Sequence, residues 1–259
     1  MIEEPYRWVE AIANRRDYVE TQLAKGSPIA AVGYRDGILF LTIGRRSRQK
    51  IYEIYDRIAM GAIGHPGDIE RLRLAAIELA STEGFTRSAA DVSLRRLAHY
   101  SLSPVMKAAF EQVYGPPYLA RLLFAEIGSS PKKDLFLRID YDGSLTADGP
   151  SAQPRQRFAV LSGTNSSAEL MEKFLQHNHA TDATLPDAIS LAADAWSVGQ
   201  MSLGEDATKD MPDRDAIRKH LHERLADSGI EAAVLERDSK SAIRYRSLTE
   251  EEVRSNVQK

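Results

Sequence analysis

The sequence predicts an α+β protein in which two mostly antiparallel sheets stack face to face, with helical pairs on both outer sides. Three observations carry this. Strand-like runs come in blocks with hairpin-length links, which implies antiparallel pairing. Helical stretches come in pairs and do not alternate singly with strands, which argues against a doubly wound parallel sheet. Apolar stripes occur on both kinds of element, and a four-layer arrangement buries all of them.

The elements follow in order. Residues 5–24 read as a helix, opened by Pro5 at a first-turn position, with Trp8, Ile12, Val19 and Leu23 at roughly helical spacing. Gly26 and Pro28 end it. Ile29–Tyr34 and Ile38–Ile43 read as strands joined by the tight turn Arg35-Asp36-Gly37. A basic turn, Arg45-Arg46-Ser47-Arg48, leads to an extended stretch, Ile51–Ile63, which Gly64-His65-Pro66-Gly67 breaks.

Two helices are expected next. The first has a stripe of Ile69, Leu72, Ala76, Leu79 and Ala80 behind Asp68. The second starts at Ser88-Ala89-Ala90-Asp91, which resembles a capping box. Its stripe is Leu94, Leu97, Ser101 and Val105, and Pro104 kinks or splits it. After Gly115-Pro116-Pro117, strands are expected at Tyr118–Ile127, Leu135–Tyr141 and Phe158–Leu161, with a hairpin signal at Asp142-Gly143. A helix starts near Ser166-Ser167-Ala168-Glu169. Another starts at Thr184-Leu185-Pro186-Asp187, its apolar face including Ile189, Ala192, Ala195 and Trp196. Ser202–Met211 reads as a surface loop and Pro212–Asp227 as a polar helix. Strands at Ile230–Glu236 and Ala242–Arg246 precede a charged tail, Thr249–Lys259.

The 259 residues are ample for a buried core. The formal net charge of -3 argues against nucleic acid or an anionic membrane as the main partner. With no cysteine, thiolate nucleophiles, disulfides and Cys-based zinc sites are excluded. The acidic N-terminus has no apolar signal region, and no apolar run approaches the roughly 20 residues that span a bilayer. A cytoplasmic location is expected.

No phosphate-binding loop, dinucleotide fingerprint, G-x-S-x-G elbow or H-E-x-x-H motif occurs. Of the six histidines, His177 with His179 and His220 with His222 form i, i+2 pairs. Both pairs fall on or near predicted helices, where such residues do not share a face; no metal or cofactor is expected. The run Arg45-Arg46-Ser47-Arg48-Gln49-Lys50 lacks interleaved aromatics and reads as a solvated turn. Lys25-Gly26-Ser27 directly precedes a strand. Cleavage after Gly26 would expose Ser27, and an N-terminal Ser can act as a nucleophile with its own amine as base; otherwise Gly26 ends a helix and Ser27 sits in a turn.

Taken together, these segments resemble a proteasome subunit. The stretch from Asp17 to Gly33, running through Lys25-Gly26-Ser27 into a strand, is similar to the end of the family's N-terminal α-subunit helix and its first strand. The hairpin Asp36–Leu41, the stretch Gln49–Gly64 and the turn Leu161-Ser162-Gly163-Thr164 also match. The resemblance covers most of residues 9–201 and, more loosely, 229–257. It implies the four-layer αββα sandwich of N-terminal-nucleophile hydrolases. The helix over 9–26 favours the α type, and the bacterial form is closest. The domain reading is then one α-type domain over 1–259, with a short N-terminal extension at 1–8, a ring-facing helix and a charged tail at 247–259. The N-terminal gate motif of archaeal and eukaryotic α subunits is missing, and residues 202–228 are longer than the family pattern.

The family's catalytic set maps onto Ser27 at the nucleophile position and Lys50 at the lysine position. The acid expected near the end of the second strand is absent, since that segment reads Leu41-Thr42-Ile43-Gly44-Arg45. The resemblance therefore implies a non-catalytic subunit. Lys50 and Gly64 would form a pocket for the C-terminal carboxylate of an activator, and Tyr6 and Trp8 would lie near the pore as gate residues. The implied partners are a ring of its own copies, proteasome β subunits, a ring ATPase or other activator, and unfolded protein substrates. Two alternatives stay open: an active N-terminal-nucleophile hydrolase, or a self-assembling β-like homologue, each using Ser27.

Overall fold

The computed structural model describes residues 5–45, 47–112, 115–147, 156–204 and 210–257, with side chains from residue 8 onward. Helix α1 (Pro5–Leu23) leads into the hairpin β1 (Ile29–Tyr34) and β2 (Gly37–Gly44). A second hairpin, β3 (Ile51–Tyr55) and β4 (Ile58–Gly64), precedes helices α2 (Pro66–Thr86), α3 (Leu94–Leu97) and α4 (Ser103–Glu111). Strands β5 (Ala120–Glu126), β6 (Leu135–Ile139), β7 (Leu145–Ala147) and β8 (Phe158–Leu161) follow. Then come α5 (Asn165–Asn178), α6 (Leu185–Met201), α7 (Arg214–Asp227), β9 (Gly229–Glu236), β10 (Tyr245–Ser247) and α8 (Glu250–Val257).

The strands form two five-stranded sheets, ordered β10-β9-β2-β1-β8 and β3-β4-β5-β6-β7, and every pairing is antiparallel. Strands β1 and β2 read as continuous apolar runs because both faces are covered. Ile29, Ala31, Ile38 and Phe40 point between the sheets. Ala30, Val32, Leu39 and Leu41 alternate to the other face, under α5 and α6. Helices α2, α3 and α4 cover the second sheet in the same way. This is the four-layer sandwich that the patterning predicts. The charged C-terminal segment carries α8, whose Val253 is buried against the first sheet's outer layer.

Some local expectations shift. The stretch 51–63 is a hairpin and not one extended run. Arg57 turns it, donating to the Glu126 carboxylate at 2.8 Å and to the carbonyls of Ala90 and Val92. Ser88–Asp91 is a free-standing turn and not a capping box. Glu126 Oε2 instead accepts the Leu94 N–H at 2.9 Å where α3 starts. Between α3 and α4 lies a π-helical turn, Ala98–Leu102, directly before Pro104. Its extra residue rotates the apolar face. The buried stripe therefore runs through Ala98, Leu102, Met106 and Phe110, and Val105 is exposed. Leu79 is also exposed, because α2 turns its Ile69, Leu72, Ala76 and Ala80 inward.

One end of the sandwich is closed by a buried carboxylate shared between two guanidiniums. Asp134, with a side chain 1% exposed, accepts from Arg157 at 3.2 Å and from Arg237 at 2.9 Å. It also accepts the Gly128 N–H at 3.0 Å. Removing one partner of a buried pair leaves the other charges uncompensated. Asp134→Asn is expected to lower stability by about 3–5 kcal/mol in chemical denaturation. A loss below about 1 kcal/mol would mean that the two arginines find solvent instead.

Candidate functional site

The opposite end of the sandwich is open. There β2 ends at Gly44, β3 begins after Lys50, and β4 ends at Gly64. Together with the end of α1 and the side of α6 they enclose a cleft of about 890 Å³. Ser27, Lys50 and Gly64 all line it, so the structure brings these three sequence-predicted residues together. Gly26 and Trp196 line it too.

Lys50 is held from its backbone. Its N–H and that of Ile51 donate to the Glu231 carboxylate at 2.9 Å and 2.8 Å. The carboxylate faces these amides, and it forms no ion pair with Lys50 among the described residues. The ammonium instead donates to the Ser27 carbonyl at 3.3 Å. Burial dominates its chemistry and brings the amine down to about 8, although the nearby Glu231 charge works the other way. Burial likewise pushes Glu231 up from the ordinary carboxylate range, against the lowering effect of its backbone hydrogen bonds.

Ser27 is fully engaged. Its hydroxyl donates to the Ile43 carbonyl at 2.6 Å and accepts from the Trp196 indole N–H at 3.1 Å. Trp196 is itself fixed, stacked on His220 at 6.1 Å. Arg224 donates to His220 Nε2, and the Ser197 hydroxyl donates to the Ile217 carbonyl. His220 Nδ1 must then carry the hydrogen towards Ser197 Oγ, 2.7 Å away. The ring is neutral, and burial together with Arg224 lowers its pKa. As the residue stands, Ser27 offers an amide nitrogen, so it has neither a free amine as base nor a hydroxyl proton that is uncommitted.

Gly64 has φ of 142°, where a Cβ would meet the Leu119 carbonyl oxygen at 2.0 Å. Only glycine fits that wall. Trp8 is 44% exposed near the start of α1, away from the cleft. Tyr6 lies in the first turn of α1, and its side chain falls outside the described residues, as do residues 1–4 of the N-terminal extension.

His177 Nδ1 donates to the Lys173 carbonyl of its own helix at 2.7 Å, and His179 Nε2 donates to the Gly33 carbonyl at 2.8 Å. Among the described residues no group of three or more potential metal ligands comes together. Nor is any helix there long and apolar enough to cross a membrane. Sequence reasoning missed Glu231, which lies 181 residues from Lys50. The only signal was an acid near the start of an otherwise apolar strand.

A family model described as proteasome subunit matches residues 24–202. The proteasome subunit alpha of a Nocardioides species is 33% identical over 202 residues, covering 78% of this chain and 72% of that protein. The proteasome subunit alpha of Mycobacterium leprae is 32% identical over 246 residues, covering 90% and 88%.

Removing the Glu231 carboxylate leaves the two amides that start β3 without acceptors. Glu231→Ala is expected to cost about 1–3 kcal/mol in urea denaturation and to speed hydrogen exchange at Lys50 and Ile51. Unchanged exchange at both amides would show that Glu231 does not set the position of Lys50.

Proposed function

The chain belongs to the proteasome subunit family and is of its α type, and from that premise we propose that it is a non-catalytic subunit that builds the outer ring of a proteasome core particle. In this reading seven copies form a ring stacked on rings of catalytic β subunits in the cytoplasm. The ring controls the entry of unfolded protein and receives the C-termini of a ring ATPase or other activator. In the same reading the helix over 9–26 faces the ring and carries its α–α and α–β contacts, Tyr6 and Trp8 in the N-terminal extension 1–8 serve as gate residues near the pore, and 247–259 is a charged C-terminal tail of the same domain.

The observation that carries the reading is the state of Lys50. A half-buried ammonium with one backbone acceptor, and no carboxylate paired to it among the described residues, suits an incoming carboxylate. The chemistry of a nucleophile is poorly served, because Ser27 is internal and its hydroxyl is locked. An exposed ion pair is worth only about 0–1 kcal/mol. Partial desolvation raises that figure, and repetition around a ring adds avidity without stronger single contacts. Lys50 also bridges to the Ser27 carbonyl, four residues beyond the end of α1. A carboxylate that captures the ammonium competes with this contact. Docking is thereby linked to the helix that carries the pore residues.

Lys50→Ala is expected to reduce activator-stimulated proteolysis and leave ring assembly intact, and unchanged stimulation would sink the pocket assignment. The pH dependence has a definite sign. The protonated amine is the binding form, so docking of a carboxylate holds below about pH 8 and weakens above it. Affinity for a peptide with a free C-terminus is expected to fall by up to about tenfold per pH unit above that point, measured by fluorescence anisotropy. An amidated peptide should show no such dependence.

A further inference from the structure

The lip of the Lys50 cleft is strongly and locally basic. Lys25 at the end of α1, Arg45 and Arg48 between β2 and β3, and Arg224 on α7 all line it with Lys50. Among the described residues none of these five cations is held in an ion pair. Arg224 donates only to neutral His220 through its Nε. Among the described residues the one carboxylate lining the cleft is Glu70, already chelated by Arg73 at 2.7 Å and 2.8 Å; Glu231 and Glu250 line the adjoining cleft that shares Arg45, Arg48 and Lys50. This surplus of positive charge sits on a chain whose formal net charge is -3, so it is a feature of this face and not of the molecule.

The cations are also arranged by depth. Lys50 is partly buried in the cleft wall, its ammonium donating to the Ser27 carbonyl at 3.3 Å. Lys25, Arg45, Arg48 and Arg224 are exposed around the mouth. A ligand matching this pattern has one anionic group at its tip and further negative charge a few residues behind it.

We propose that the cleft selects partner C-termini that are acidic just upstream of the terminal carboxylate, with Lys50 taking the terminus and the exposed arginines and Lys25 reading the acidic side chains. The inference rests on the reading of Lys50 as a carboxylate site and adds the specificity that site would have. An apolar or neutral terminus would leave the rim's charges facing each other across the cleft. An acidic one neutralises them. A peptide terminus places its single carboxylate at Lys50 and its acidic side chains at the rim, and polyphosphate, which carries charge along its whole length, is the control that separates this from general polyanion binding.

The test uses the full chain in its purified assembled form and fluorescent octapeptides ending in a free carboxylate. One peptide carries three Asp residues upstream of its terminus, and a second carries Asn in their place. Amidated copies of both and inorganic polyphosphate serve as probes of the alternatives. The acidic free acid is expected to bind at least about tenfold more tightly than the Asn peptide at low salt, and the gap should close at about 0.5 M salt as screening shortens the Debye length. In Arg45→Glu/Arg48→Glu the preference should reverse, and in Arg45→Gln/Arg48→Gln it should shrink.

If free carboxylates outbind amides but the Asp and Asn peptides bind alike, the acidic preference is overturned and the carboxylate site stands. If free acids and amides bind alike and weakly, the carboxylate site itself fails, and this inference fails with it. If the amidated Asp peptide or polyphosphate binds as tightly as the free acid, the rim is a general polyanion surface and the proposal is wrong.

Discussion

The guanidinium of Arg121 is the contact on which the site depends. Its side chain is 4% exposed, and every one of its N–H donors has a partner. Nε donates to Asp140, one terminal nitrogen to both oxygens of Glu20, and the other to the carbonyls of Ser162 and Gly163. Four segments are thereby tied to one point: α1, β5, the turn after β6, and the turn between β8 and α5. Tyr141 adds a hydrogen bond to Glu20 and a ring against the guanidinium. The turn sits so close to α1 that a Cβ on Gly163 would lie 2.5 Å from the Ala24 carbonyl. A second arginine, Arg15, holds the middle of the helix to the carbonyls of Ala109, Phe110 and Gly115.

This anchoring bears on the chemistry. An N-terminal nucleophile has to begin its chain, and here the preceding residues form a docked helix with buried polar contacts. Losing residues 1–26 would strip Glu20 from Arg121 and leave part of a buried cation uncompensated, a strongly destabilising change. The same helix delivers Ser27 to a position where Ile43 and Trp196 occupy its hydroxyl. The frame that could hold a hydrolytic site thus holds a sealed serine beside an available lysine. What lines the open cleft is the Lys50 ammonium, whose acceptor among the described residues is the Ser27 carbonyl.

Much of the frame was legible along the chain. The strand at Ile29–Tyr34 and the turn at Arg35-Asp36 follow from local patterning and close as expected. Thr184 and Asp187 form a reciprocal capping box, which the Thr-Leu-Pro-Asp sequence signals. The misses share a cause. Arg121 is the second residue of the otherwise apolar start of β5, and its partner Glu20 lies 101 residues away on a helix face that looks solvated. The acceptor that starts α3 is Glu126 on a strand, so the nearby Ser88 is passed over. Val105 fits a helical stripe until a π turn rotates that stripe. Ser27 stands out locally, as a Gly-Ser step directly before a strand, and Lys50 and Gly64 were found through their match to a family pattern, whereas Glu231 and Trp196, which contact Lys50 and Ser27, have no local signature of those contacts.

The claim that joins these points is that the chain works uncut, as part of a ring. Native mass spectrometry of the purified assembly, followed by dissociation and weighing of the released chain, tests both halves on one sample. The account predicts a ring-sized complex whose chains begin at Met1 or Ile2. Chains beginning at Ser27 would contradict it and make this protein a hydrolase.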